Sequence, residues 1–324
     1  MYDYTDISVF CPKGKPNLSQ LKAKGTLNGW QYYELAGVKP LQIGYREDLR
    51  ELRIRGSLPY FWQGHNFAFA GHDLRDSLDY VSTTLEQNIY SGIAEAFEFG
   101  TVAEVNSPVS SILSNHISLK GFRTNDYRDN KGRIITRNFE SLQLRVKLYD
   151  VSANFSGKLD RDVKRALQEA YCFDSAKHYL KLENHYKRPT AYFKERIRVS
   201  DLFHPDVQAM LRDDLTACYL QIKKTTSYMM PASKKDLTTP MLILLALKNL
   251  EGAYGISAEE LVLEQVKAFP DLLTAEDRKA RIRQIRALLK RTEAAQVDSP
   301  YDISETLQKG FARTDHYSVS RSVV

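Results

Sequence analysis

The chain alternates apolar and polar residues most regularly over SLQLRVKLYD, Ser141–Asp150. Strand side chains point to opposite faces in turn. Leu142, Leu144, Val146 and Leu148 therefore share one face, and Gln143, Arg145, Lys147 and Tyr149 the other. The same period predicts a strand ending at Gly56, where Leu52 and Ile54 alternate with Glu51, Arg53 and Arg55, and further strands over Ile93–Gly100 and Tyr179–His185. Ile117–Phe122 and Arg133–Thr136 are shorter strand candidates joined by the turn-rich RTNDYRDNKG. Helical spacing appears where Asp73 precedes Leu78, Val81 and Leu85, and again over Asp160–Ala170. After about Asp201 it dominates. Pro240 suits the first turn of a helix over Leu237–Leu250, and Ser257–Glu260 reads as a capping box. Thr274 can cap a last helix striped by Ile282, Ile285 and Leu289. From about Ala295 the chain is polar and is expected to be loosely ordered. The pattern predicts an α+β domain followed by a helical region.

Composition narrows the class. Across 324 residues, 43% are hydrophobic and 27% charged, which excludes wholesale disorder and suits about one to three domains. Cys11, Cys172 and Cys218 are too few and too scattered for a disulfide framework or a zinc ribbon, so they are read as buried or incidental in a reducing interior. The longest apolar run, around Met241–Leu247, falls far short of the ~20 residues of a membrane helix. MYDYTDISVF lacks the pattern of a secretory signal, and a cytoplasmic location with no membrane partner is expected. The net charge is +6, and Arg278–Arg291 holds seven Lys/Arg and no acid. Such a block suits a polyanionic partner, or it is a solvated helix face; the block alone does not decide.

The polar strand faces carry the candidate chemistry. Glu98 shares its face with Ala94, Ala96 and Gly100, small residues that leave room for something to approach. Lys181, Glu183 and His185 face away from Leu180 and Leu182. Periodicity alone favours plain solvated sheet surfaces. If the faces converge, two carboxylates can hold a hard divalent cation, and a tyrosine can serve as covalent nucleophile at a phosphodiester. A GHN turn makes His65 either a metal ligand or a hydrogen-bonded loop residue; His72 and His185 read as structural or surface groups.

These segments, taken in order, resemble the gene II/X replication initiators of filamentous phages and related phage and plasmid proteins. GSLPYFWQGHN, Gly56–Asn66, resembles their glycine-to-QGHN segment, and AFEFG places Glu98 where the family has a conserved acid. LRVKLYD places Tyr149 at the nucleophilic tyrosine, and HYLKLENHYK places Glu183 in an L-x-x-E strand. The likeness covers about residues 40–205. The chain departs from the pattern in two places. Family members often carry a lysine two residues beyond the tyrosine; here the run is Tyr149-Asp150-Val151, and Lys147 stands two residues before. Glu98 replaces a more usual Asp.

The resemblance implies a nuclease-like antiparallel-sheet domain over residues 1–205 that nicks DNA, with a helical, basic accessory region over 206–324. It implies a metal-dependent, site-specific single-strand endonuclease and strand-transfer enzyme of rolling-circle replication. Tyr149 would form a 5′-phosphotyrosyl link, with Lys147 at the phosphate, and Glu98, Glu183 and His65 would be the candidate ligands of Mg²⁺ or Mn²⁺. Arg145 would contact the phosphate backbone beside Tyr149; on charge density rather than on the resemblance, Arg278, Arg283, Arg286 and Lys290 of the basic helix would also grip DNA. The expected partners are origin DNA, single-stranded or hairpin, and a host helicase; whether two copies act as a homodimer is left open. The competing expectation is a non-catalytic DNA-binding replication or regulatory protein, with another metal-dependent phosphodiesterase as a third.

Overall fold

The computed structural model describes residues 2–12, 14–69, 71–158, 165, 167–169, 173–224, 227–228, 262, 266, 274–293, 296–297 and 302–311. The fold is α+β, built on a ten-stranded sheet in which every neighbouring pair is antiparallel. The strands in chain order are β1 (Tyr2–Phe10), β2 (Lys22–Leu27), β3 (Trp30–Leu35), β4 (Leu41–Arg46), β5 (Glu51–Ser57), β6 (Ile93–Val105), β8 (Arg123–Arg128), β9 (Ile134–Glu140), β10 (Leu144–Asp150) and β11 (His178–Tyr186). Their spatial order is β2-β3-β4-β5-β1-β6-β11-β10-β9-β8. The N-terminal strand thus lies inside the sheet, between a four-strand meander and the strands carrying the candidate chemistry.

One sheet face is apolar. Ile7, Val9, Leu52, Ile54, Phe97, Leu182, Val146 and Leu148 are fully or almost fully buried there. Each such side chain contributes roughly 1.5–3 kcal/mol by leaving water. The helix Pro205–Leu220 buries Leu211, Leu215 and Tyr219. Its half-buried Asp214 carboxylate accepts from Tyr186 (2.7 Å), Tyr192 (2.8 Å) and the Asn184 amide (3.0 Å). Part of the opposite face is covered by an aromatic cluster. Phe67 meets Tyr179 at 5.1 Å and Phe173 at 5.3 Å, and Phe155 meets Phe173 at 5.6 Å, edge to face in each case.

The chain divides into two compact units, Met1–Val109 with Gly121–Leu220 and Ile303–Val324, and Ser110–Lys120 with Gln221–Asp302. The helix after Pro205 belongs to the first unit, where Leu211, Leu215 and Tyr219 are buried. Within the second unit β7 (His116–Leu119) pairs with β12 (Ile222–Lys224), and β13 (Ser227–Tyr228) with β14 (Gln296–Val297). Its basic helix, Ala275–Glu293, is capped as expected: Asp277 N donates to Thr274 Oγ1 at 3.1 Å, and Thr274 N to Asp277 Oδ2 at 3.2 Å. Ile282 and Ile285 are half-buried along its stripe. The side chains of Leu289 and Lys290, the helices expected at Leu237–Leu250 and after Ser257, most of the candidate at Asp160–Ala170, and Cys172 all lie outside the described residues.

Three expectations are corrected. Most of RTNDYRDNKG is strand, since β8 pairs with β9 and Arg137 clasps Asp126 across it at 2.6 and 2.7 Å. The true turn is shorter, Asp129–Gly132, closed by Gly132 at φ 76° and by Asp129 Oδ1 accepting from two backbone amides at 2.9 Å. Leu142 precedes β10 and is 70% exposed, so it does not share the apolar face. The tail is not loose throughout. Ile303 and Leu307 are buried, Ile303 N donates to the Tyr219 hydroxyl at 2.9 Å, and Phe311 stacks on Phe99.

Gly100 on β6 pairs with Glu183 on β11. A Cβ at Gly100 would stand 2.3 Å from Leu182 O and 2.7 Å from Glu183 Cγ, so the Glu183 side chain lies across the space a larger residue needs. Gly100→Ala should lower stability by about 1–3 kcal/mol through this overlap. Urea denaturation checks it; a wild-type midpoint would mean that β6 and β11 separate at no cost.

Candidate active site

The polar face of β1, β6, β11 and β10 forms a cleft of about 350 Å³. Its first acid comes from an irregularity in β1. Tyr2 pairs with Phe99 and Thr5 with Phe97, so Asp3 and Tyr4 together oppose Glu98. Such a bulge puts two consecutive residues where one would stand, and both Asp3 and Tyr4 line the cleft. Register supplies the rest. Lys147 is paired with Glu183, Tyr149 with Lys181, and His185 with Glu98.

The segment Gly56–Asn66 closes the cleft's rim. Ser57 caps the helix α1 (Leu58–Gln63) by accepting from Tyr60 N, and its hydroxyl donates to Asp3 Oδ1 at 2.5 Å. Gly64, at φ 80°, ends the helix in a left-handed turn. The Gln63 amide then pins the loop by donating to the carbonyls of His65 and Ala68. This delivers Asn66, whose amide donates to Asp3 Oδ2 and, at 3.1 Å, to the Tyr149 hydroxyl.

Carboxylate oxygens of Asp3, Glu98 and Glu183 all lie within 4.8 Å of one another, and all three side chains are buried. Two ammonium groups sit among them. Lys147 Nζ is 3.1 Å from both Glu98 Oε1 and Glu183 Oε2; Lys181 Nζ is 2.8 Å from Asp3 Oδ2 and 2.5 Å from Glu183 Oε1. One negative charge is left over, beside His185, whose Nδ1 is 3.0 Å from Glu98 Oε1. Burial alone pushes the Glu98 carboxyl up, but the His185 hydrogen bond and the Lys147 charge outweigh it and hold the group below its ordinary value. Burial also pushes Glu183 up, and Lys147 and Lys181 together bring it below the ordinary value. Burial disfavours both ammonium forms, yet the surrounding carboxylates raise Lys147 and Lys181 above the normal lysine range. Glu98, Glu183, Lys147 and Lys181 are thus all held in their charged forms.

Tyr149 is only 3% exposed, and its hydroxyl donates to Glu183 Oε1 at 3.3 Å. Burial, reinforced by Glu183 and Asp3, holds the phenol well above its ordinary pKa, so it rests protonated. Lys147 and Lys181 stand 5.4 and 5.7 Å from its ring centroid, positions from which positive charge favours a phenolate.

The residues suit a hard divalent cation. Three converging carboxylates offer oxygen ligands, the donor set for Mg²⁺ or Mn²⁺. Glu183 Oε2 is buried without a hydrogen bond: Lys147 Nζ approaches it at 3.1 Å but not along a bonding direction. The Lys147 charge beside it offsets part of that oxygen's desolvation, and a cation would supply the coordination it lacks.

Sequence reasoning placed Glu98, Glu183, Lys147 and Tyr149, and the fold brings these together. His65 does not join the acid cluster; its Nδ1 faces the Gln63 amide at 3.2 Å and accepts from Phe67 N at 3.4 Å within the loop. Arg145 reaches the cleft's edge but is held by Glu140 at 2.7 Å; hydrogen bonds from Lys187 and then Arg145 pull the Glu140 carboxyl down to about 2. Arg278 is half-buried, and Arg283 and Arg286 are exposed, on a helix of the second unit. Asp3, Asn66 and Lys181 were not singled out from sequence; His185, read as a structural or surface group, lines the cleft and meets Glu98. Asn66 stands inside the QGHN segment; Asp3 gives no periodic signal because the bulge shifts its phase.

Comparison with protein-family models and with curated protein sequences finds no match. Among the described residues, no helix is long and apolar enough to cross a membrane.

The cluster ties stability to acid. Glu98 and Glu183 titrate below the ordinary value of 4.5, so their stabilisation is complete above that pH and is lost as pH falls through the lowered values. Glu183→Gln should cost about 3–5 kcal/mol at neutral pH by leaving buried ammonium groups undercompensated. The gap from wild type should shrink below about pH 4.5. Thermal melts from pH 7 to pH 3 check this; a gap constant with pH would take Glu183 out of the ionised cluster.

Proposed function

We propose that the chain is a rolling-circle replication initiator, a metal-dependent endonuclease that nicks and rejoins one DNA strand through a 5′-phosphotyrosyl link. One observation carries the reading: the Tyr149 hydroxyl is bonded to Glu183, whose buried carboxylate converges with those of Asp3 and Glu98, and Tyr149, Asp3 and Glu98 line one cleft. A pure binding protein has no need of a buried phenol seated on an acid cluster. The order of the four motifs that resemble phage initiators supports the same reading.

Asp3, Glu98 and Glu183 would hold the cation, which when bound supplies positive charge to the phosphate oxygens. Tyr149 Oη attacks phosphorus, forming a new O–P bond as the P–O3′ bond breaks. The phenolic proton passes by way of Glu183 Oε1, its present acceptor, to solvent, and the departing 3′ oxygen takes up a proton from water to leave a free 3′-OH primer. Lys147, which meets both Glu98 and Glu183, stabilises charge growing on the phenol and phosphate. Rejoining is the same sequence reversed. Asn66 orients the phenol from the opposite side.

A second reading is favoured by one feature. Tyr149 is 3% exposed and held by two partners, which also suits a positioning role in a phosphodiesterase whose nucleophile is water. The two part at the covalent intermediate. With single-stranded DNA of the cognate element and Mn²⁺, denaturing electrophoresis should show a protein–DNA band that Tyr149→Phe abolishes while DNA affinity stays within about twofold. Cleavage without any covalent band would establish the hydrolytic reading.

The basic helix of the second unit is proposed to grip the phosphate backbone without reading sequence. Arg283→Ala, Arg286→Ala and Lys290→Ala combined should weaken binding to cognate and scrambled DNA alike. The log–log salt slope should drop by up to about one for each phosphate that is no longer neutralised. An unchanged slope would assign the helix to a protein partner or to solvent.

A further inference from the structure

The polar face continues past the cleft onto β3, β4 and β5, where it bears a second feature. A shallow depression there is lined by Trp30, Tyr32, Gln42, Gly44, Arg53 and Arg55. Gly44 is its floor. A Cβ on Gly44 would meet the Trp30 ring at 3.1 Å and the Tyr32 ring at 3.5 Å, so both rings lie against the bare backbone of β4. Both are half-buried, with surface still open to solvent, and Gln42 beside them is exposed. Arg53 and Arg55 form the wall toward β1. They clasp the Asp6 carboxylate at 2.7, 2.8 and 2.9 Å, two guanidinium groups on one acid, so this trio keeps one positive charge, with Glu95 and Glu51 acting on Arg53 from farther off, and the planes are held in place.

We propose that this patch is a stacking platform for bases of the single strand that leads into the cleft. The proposal rests on the nicking reading for its location and on its own chemistry for its ligand. Aromatic faces accept any base by stacking, a side-chain amide can pair with base edges, and guanidinium groups meet phosphates. The residual positive charge is complementary to a nucleic-acid backbone. At about 40 Å³ the depression is too shallow to enclose a base, so bases lie flat across it. Continuity supports the path. Arg55 is paired with Asp6 on β1, two residues from Tyr4 in the cleft, and only β5 and β1 separate β4 from β6. That separation is about 14 Å at the usual strand spacing, a few nucleotides of extended strand.

The test needs no cleavage. Trp30 and Trp62 are the two tryptophans, so Trp62→Phe leaves Trp30 as the sole tryptophan, excited at a wavelength that tyrosine does not absorb. Titrating this protein with an oligo-dT dodecamer, with EDTA present and salt fixed at about 0.1 M, should quench the emission saturably. By fluorescence anisotropy with labelled oligo-dT, Trp30→Ala should weaken affinity about tenfold or more, whereas Trp30→Phe, which keeps an aromatic face, should stay within about twofold of wild type. Circular dichroism of each variant confirms that the sheet persists. Wild-type affinity in folded Trp30→Ala, absence of quenching, or quenching by a cello-oligosaccharide and not by oligo-dT would each overturn the proposal. The outcomes separate it from nicking. Quenching with no covalent adduct keeps the platform and sinks the nuclease; an adduct together with unaltered Trp30→Ala affinity does the reverse.

Discussion

Three carboxylates and two ammonium groups share one buried site on one face of a sheet, and the local architecture answers to them. Desolvating five charges costs several kcal/mol for each ion before mutual attraction offsets it. That cost is met only because each ion finds an opposite charge within about 3 Å: Lys181 between Asp3 and Glu183, Lys147 between Glu183 and Glu98. A hydrophobic pairing of strands would stabilise the sheet more simply. Charge clusters held this way concentrate at functional sites. The excess negative charge and the unbonded Glu183 oxygen make this one suited to take up a cation.

Antiparallel pairing makes the cluster possible. Cross-strand neighbours on one face stand close enough to interact, and here these neighbours are Lys147 with Glu183, Tyr149 with Lys181, and Glu98 with His185. Two local departures complete it. The bulge in β1 turns Asp3 toward Glu98, and Gly100 leaves the room that Glu183 occupies. The helix-capping Ser57 and the loop residue Asn66 then fix Asp3 from outside the sheet. The same face runs on to Trp30 and Tyr32, so chemistry and the proposed strand path share one surface.

Much of this was legible in the sequence because strand alternation is a local property. The strands around Leu52, Glu98, Tyr149 and Glu183 and the outward direction of their polar residues followed from periodicity alone. What was hidden is non-local or off-period. β1 belongs inside the sheet, yet its bulge breaks the alternation that would have marked Asp3. Arg123–Arg128 reads as turn because its residues are polar, but an edge strand needs only one paired neighbour and tolerates polar side chains. Lys181 stood on the predicted polar face, but no pattern along the chain told that two strands would bury it at 1% exposure between two acids. His65 could be a ligand on its turn motif alone, and the loop's own hydrogen bonds claim its ring.

The central claim is that the Asp3, Glu98 and Glu183 cluster is a divalent-cation site rather than a self-neutralised ionic knot. Crystals of the protein soaked in Mn²⁺, with anomalous diffraction recorded, test it most directly. The account predicts one anomalous peak within about 2–2.6 Å of oxygens from these three residues, absent in Glu183→Gln crystals. No peak there, with Lys147 and Lys181 seated between the carboxylates as they are now, would contradict it.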